Sequence, residues 1–122
     1  MLDGCTAWPE EFAKRYRELG YWRGVTVPEA IFEVIARHDE KTAIIFNDER
    51  ISYAELGRRV NAMARGFVRQ GIRPLDRIVL QLPNSPQFLV AFLAIQQAGA
   101  IPVLALPAHR KAEIGHFVRH AE

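Results

Sequence analysis

The run Leu80–Arg110, LQLPNSPQFLVAFLAIQQAGAIPVLALPAHR, restricts the fold of this chain more than any other feature. Arg77–Leu82 (RIVLQL) is a mostly apolar strand. Ser85 is placed to cap a helix that Pro86 starts and Gly99 ends, and Ile101–Leu106 is a second apolar strand. Strand, helix, strand in this order is a βαβ unit, which requires parallel strands and a right-handed crossover. Apolar residues on both faces of each strand, and nearly all round the helix, predict a unit buried between layers. The alternative, a membrane hairpin, fails on polarity. Phe88–Leu106 approaches the ~20 residues of a span, but Gln96 and Gln97 sit side by side near its middle, with Gly99 and Pro102 beyond.

The flanking sequence supplies further elements. Pro9–Leu19 reads as a short helix ended by Gly20, and Trp8, Tyr21 and Trp22 around it suggest a segment, residues 1–24, clamped onto a larger body. Thr26-Val27-Pro28-Glu29 is a capping box, after which Ile31, Val34 and Ile35 form an apolar stripe as far as His38. Thr42–Asn47 is a strand, Asn47–Arg50 a turn, and Ile51–Tyr53 the return of a small hairpin. Ser52-Tyr53-Ala54-Glu55 is a second capping box. It opens a helix with Leu56, Val60, Met63, Ala64 and Phe67 on one face, stopped by Gly71. Arg110–Ala121 is a further helix, and the alternation would call for another strand where the chain ends at Glu122. With 122 residues and 49% hydrophobic content the chain suits one domain with its own core. The expected fold is α/β, with helices packed on a partly parallel sheet around the βαβ core, and residues 25–122 forming the α/β subdomain.

In open parallel sheets, ligands bind beyond the carboxyl ends of the strands. Those ends are Pro83-Asn84-Ser85-Pro86 and Pro107-Ala108-His109-Arg110. Asn84 and Ser85 stand at a helix N-terminus, whose free N–H groups suit an anion; His109 and Arg110 could hold a carboxylate or phosphate. The structural reading of each residue, as cap, turn or polar loop, is favoured. His116 and His120 have the i, i+4 spacing of a helical metal pair, but neither an HExxH glutamate nor a third ligand accompanies them, which favours a solvated helix face. His38 closes a helix where positive charge is welcome. There is no GxxxxGK[ST], GxGxxG or GxSxG motif, so the residues alone define no catalytic, cofactor-binding or metal site. The 16 basic and 14 acidic side chains are scattered, without the basic stripe that nucleic acid requires. Cys5 is the only cysteine, and the first residues lack a basic segment followed by an apolar one. Both observations point to a reducing compartment, the cytoplasm.

Taken in order, the pieces resemble a known family. Ser52-Tyr53-Ala54-Glu55-Leu56 resembles the first core motif of the acyl-adenylate-forming superfamily, and Gln97-Ala98-Gly99-Ala100-Ile101-Pro102-Val103 resembles its second. A Gly-Ile-Arg-Pro-Leu-Asp-Arg-Ile-Val segment lies between them, as in the family. Trp8-Pro9-Glu10-Glu11, Gly20-Tyr21-Trp22-Arg23-Gly24 and Pro107-Ala108-His109-Arg110 are similar to the aryl acid branch, whose members activate 2,3-dihydroxybenzoate or salicylate for siderophore assembly. The resemblance implies the opening part of the large N-terminal domain of a longer ligase. Such a ligase uses ATP and Mg2+, with an aryl acid and an aryl carrier protein as partners. The phosphate loop, aryl pocket and mobile lysine of that family have no counterpart in these residues. The resemblance therefore implies scaffold, with no nucleotide or metal bound and no activity in isolation. The other class of reading is a self-contained α/β interaction module without catalysis. An open sheet edge beside residues 101–106 is expected to promote self-association.

Overall fold

A computed structural model describes residues 5–121 of the chain. Along these residues run α1 (Glu10–Glu18), α2 (Val27–His38), β1 (Thr42–Phe46), β2 (Glu49–Ser52), α3 (Tyr53–Arg69), β3 (Arg77–Gln81), α4 (Pro86–Gln97), β4 (Ile101–Ala105) and α5 (Lys111–His120). The strands form an antiparallel hairpin, β1–β2, and a parallel pair, β3–β4, whose register sets Arg77 beside Ile101 and Gln81 beside Ala105. The expected α/β architecture with its βαβ core is therefore the observed one.

Local chemistry places the ends of α4. Ser85 is extended, and its Oγ accepts the Phe88 N–H at 3.2 Å, with Pro86 following in the first turn. At the other end Gly99 takes φ of +82°, its N–H bonds the Gln96 carbonyl at 2.9 Å, and the Ala100 N–H bonds the Ile95 carbonyl at 3.0 Å. This paired closure ends the helix and turns the chain into β4. Gly71 closes α3 in the same manner, with the Ile72 N–H bonded to the Phe67 carbonyl at 3.1 Å. The Leu75 N–H then reaches the Gly99 carbonyl at 2.8 Å, joining the turn before β3 to the turn before β4.

α4 is shared by two cores. Val90, Leu93 and Ala94 pack with Ile51 of the hairpin and Leu56, Val60 and Ala64 of α3. Ala91 and Ile95, on the neighbouring face, pack with Leu80 of β3 and with Ala100. Phe67 and Phe92 lie against both groups, and α2 adds Ile31 and Phe32 to the first.

Four details differ from the sequence reading. The hairpin turn is tighter: Phe46 pairs with Glu49, so Asn47 and Asp48 alone make the bend, and Asn47 adopts φ of +52°, which its short polar side chain tolerates. The second capping box is half formed. Ser52 Oγ accepts the Glu55 N–H at 3.2 Å, but the Glu55 carboxylate turns to Arg58 and Arg59 instead of the N-cap backbone. Met63 lies on the exposed flank of α3, and the buried positions are Leu56, Gly57, Val60 and Ala64. The parallel pair is covered mainly on the α4 side. Leu104 stays exposed and α5 buries none of its residues, so the βαβ unit is not enclosed between two layers.

The aromatic residues near the start pack chiefly on one another. Tyr16 stands 6.0 Å from Trp8 and 5.5 Å from Trp22, ring centre to ring centre, while Trp8 and Tyr21 remain exposed. An ion pair from Arg23 to Glu33, 2.9 Å, links this segment to α2.

The edge of β4 has an uneven hydrogen-bonding face. The Ile101 N–H points toward β3, bonding the Asp76 carbonyl at 2.8 Å, so by alternation Pro102 and Leu104 face outward. Pro102 offers no N–H, which leaves Leu104 as the outward donor within β4.

Two glycines separate backbone strain from open space. A Cβ on Gly66 of α3 would meet nothing within 4 Å, whereas Gly99 has positive φ and a Cβ there would lie 3.4 Å from Pro74. Gly66→Ala should stabilise the fold by about 0.5–1 kcal/mol, and Gly99→Ala should destabilise it by about 1–2 kcal/mol. Urea unfolding of the two variants checks the opposite signs.

Candidate functional site

The carboxyl ends of β3 and β4 lie side by side, and Gln81, the last residue of β3, joins them. Its Nε2 donates to the carbonyls of Leu106 at 3.0 Å and His109 at 2.9 Å. His109 completes the closure: its Nδ1 accepts the Leu106 N–H at 3.1 Å, and its ring stands edge-on to Phe117 with centres 5.2 Å apart. With Nδ1 acting as acceptor, the proton of a neutral His109 ring sits on Nε2.

The Arg110 N–H donates to Glu113 Oε2 at 2.8 Å, so the glutamate caps the start of α5. That bond, then the Glu113 backbone N–H, hold the Glu113 carboxyl below the ordinary carboxylate range. The Arg110 side chain is exposed.

The first break is also occupied with its own backbone. Ser85 Oγ takes the Phe88 N–H, one of the donors an anion at this helix end would use. Asn84 is exposed. The fold thus brings both breaks to one rim, where Ser85 and His109 serve a cap and a turn while the Asn84 and Arg110 side chains are exposed. Gln81 is the residue the sequence reading overlooked. The available signal was a long amide side chain ending an apolar strand, directly before a break.

Elsewhere the electrostatics are structural. Glu55 is held below the usual carboxylate range first by its hydrogen bond from Arg59, 2.6 Å away, and Arg59 also reaches Glu49 at 3.2 Å. Glu29 is lowered by the Thr26 backbone N–H in the α2 capping box. His38 is half-buried with its ring 6.5 Å from that of Tyr53. A cavity of about 510 Å³ runs along α3 and α4, lined largely by apolar atoms with Arg59, Met63, Phe67 and Gln87 at its walls.

Among the described residues no group of three or more His, Cys, Asp or Glu could hold a metal ion. No helix of the described residues is long and apolar enough to cross a membrane.

Comparison with known proteins shows the family. A family profile described as "AMP-binding enzyme" matches residues 31–122. The chain belongs to the AMP-binding enzyme family. Within it, the chain is 41% identical over 122 residues to a 2,3-dihydroxybenzoate-AMP ligase of Bacillus subtilis, covering 100% of this chain and 23% of that protein. It is 46% identical over 121 residues to Triostin synthetase I of Streptomyces triostinicus, covering 99% of this chain and 23% of that protein. Among solved structures, Mycobacterium smegmatis MbtA in its apo form superposes with a TM-score of 0.89 and 41% identity, over 95% of this chain and 22% of that one. The chain thus spans 23% of the length of these two curated relatives.

Removing the Gln81 amide tests the closure. Gln81→Ala should cost about 1 kcal/mol, the scale of one net hydrogen bond at an exposed position. Amide exchange should quicken at Leu106 and His109 while the β3–β4 ladder stays protected. Residue-resolved hydrogen exchange reads both effects.

Proposed function

We propose that this chain is the N-terminal scaffold portion of an aryl acid adenylating ligase acting in siderophore biosynthesis. The observation that carries the reading is the similarity to a 2,3-dihydroxybenzoate-AMP ligase along the entire chain. Pro107-Ala108-His109-Arg110, the segment resembling the aryl acid branch, supports it.

In the complete enzyme, an oxygen of the aryl carboxylate attacks the α-phosphorus of ATP. The bond to the β-phosphate oxygen breaks, leaving aryl-AMP and pyrophosphate. The phosphopantetheine thiol of an aryl carrier protein then attacks the acyl carbon and AMP departs. ATP, Mg2+, 2,3-dihydroxybenzoate or salicylate, and the carrier protein belong to this reading of the whole enzyme, which works in the cytoplasm. The present residues contribute rigid support: β3, α4 and β4 hold the rim, and no residue here takes part in the chemistry.

The reading is tested by pyrophosphate exchange. The purified 122-residue chain should show no aryl-acid-dependent incorporation of labelled pyrophosphate into ATP. A polypeptide expressed from the source reading frame beyond Glu122, through a Gly/Ser/Thr-rich loop, should show it with 2,3-dihydroxybenzoate or salicylate. Exchange by the 122-residue chain would refute the scaffold assignment. A natural stop codon after Glu122 would favour a self-contained interaction module.

Self-association through the outer side of β4 belongs to the same proposal. Because Pro102 removes a backbone donor there, contact between copies would rest on the exposed side chains Leu104 and Leu106. Light scattering over a concentration series should show dimers, and Leu104→Lys should return the chain to monomer. A monomer at the highest concentration would count against it.

A further inference from the structure

We propose that His116 and His120 form a two-imidazole site on α5 for a borderline divalent transition-metal ion, with water completing the coordination. The spacing alone is weak support, since i, i+4 histidines also occur on solvated helix faces. Two features of the fold add to it.

The first is separation. The two ring centres lie 3.9 Å apart, with the planes inclined by 36°. Two nitrogens sharing one ion at about 2.0–2.1 Å each can stand no more than about 4 Å apart. Ring centres this close let rotation about the exposed side-chain bonds bring one nitrogen of each ring within that span, with no movement of the helix.

The second is the tautomer of His120. Its Nδ1 lies 3.1 Å from the His116 carbonyl oxygen, which can only accept, so Nδ1 carries the proton. The lone pair is then on Nε2, the nitrogen farther from the backbone. A ring N–H donated to a carbonyl is the usual support of a metal-binding imidazole, fixing both tautomer and orientation. His109 is excluded by the same logic, because its Nδ1 lone pair is used by the Leu106 N–H.

The surrounding charges permit a cation. Glu113 lies one turn before His116 on the same side of the helix, at the 3.6-residue repeat. Arg119 is turned the other way: its Nη1 sits 3.2 Å from the position a Cβ on Gly115 would take. Arg77 is engaged with the Ala121 carbonyl. Both histidines also fall toward the carboxyl end of α5, where the helix dipole favours positive charge.

Calorimetric titration of the 122-residue chain with CuCl2, NiCl2 and ZnCl2, each alone, tests the site. The Cys5→Ser background removes the exposed thiol as a competing ligand. One equivalent should bind, Cu2+ most tightly. His116→Gln and His120→Gln should each weaken binding by about tenfold or more, as loss of metal-site support does. His109→Gln should leave it unchanged, and far-UV circular dichroism should show equal helix content in all variants. Absence of binding by the Cys5→Ser chain, or binding that survives both His116→Gln and His120→Gln, would overturn the proposal.

Discussion

The burial of α4 is the constraint on which the remaining architecture depends. Ala94 has no exposed surface and Ile95 almost none, yet the two residues serve different cores. A helix apolar around most of its circumference has no face to give to water, so partners must approach it from two directions. α3 with the hairpin takes one and the parallel pair takes the other. Alanines at positions 91 and 94 let the neighbouring elements come close, and larger side chains such as Leu93 and Ile95 fill the space between them. Each fully buried aliphatic side chain contributes about 1.5–3 kcal/mol, so truncating this helix would weaken both cores together.

The same packing explains how the strand ends are closed. β3 and β4 finish together because the crossover returns the chain in register, and the polar groups exposed at their ends must then find partners. Gln81, His109, Ser85 and Glu113 satisfy them within the chain. The Asn84 and Arg110 side chains stay exposed beside them. The chain belongs to the AMP-binding enzymes and spans 23% of the length of two of its curated relatives.

Much of the fold was legible because its signals are local. Ser85, Pro86 and Gly99 punctuate α4 through backbone groups within a few residues of each other. Gly71 and the Thr26–Glu29 box act over the same range. The details that were not legible depend on distant neighbours. Glu55 abandons the N-cap because Arg58 and Arg59 offer charged donors one turn on and Arg59 is also drawn toward Glu49 of the hairpin. Met63 belongs to the apolar pattern of α3, but α4 covers an arc of the helix that excludes it. The functional resemblance rested on two short motifs in fixed order, and no spacing rule could show that Gln81 would reach a loop 25 residues and more away along the chain.

What the sequence determined by itself was the set of elements and their ends, since caps, prolines and glycines act through bonds between near neighbours. The parallel pairing followed as well, because a strand, a single helix and a second strand leave few other connections. Only the tertiary structure decided which groups remained free. It left the outer face of β4 open, turned His109 into a turn closure, and set the rings of His116 and His120 side by side with one proton directed to a backbone carbonyl. Those outcomes depend on which side chains compete for the same donor or the same space. That competition is settled only when distant segments pack together.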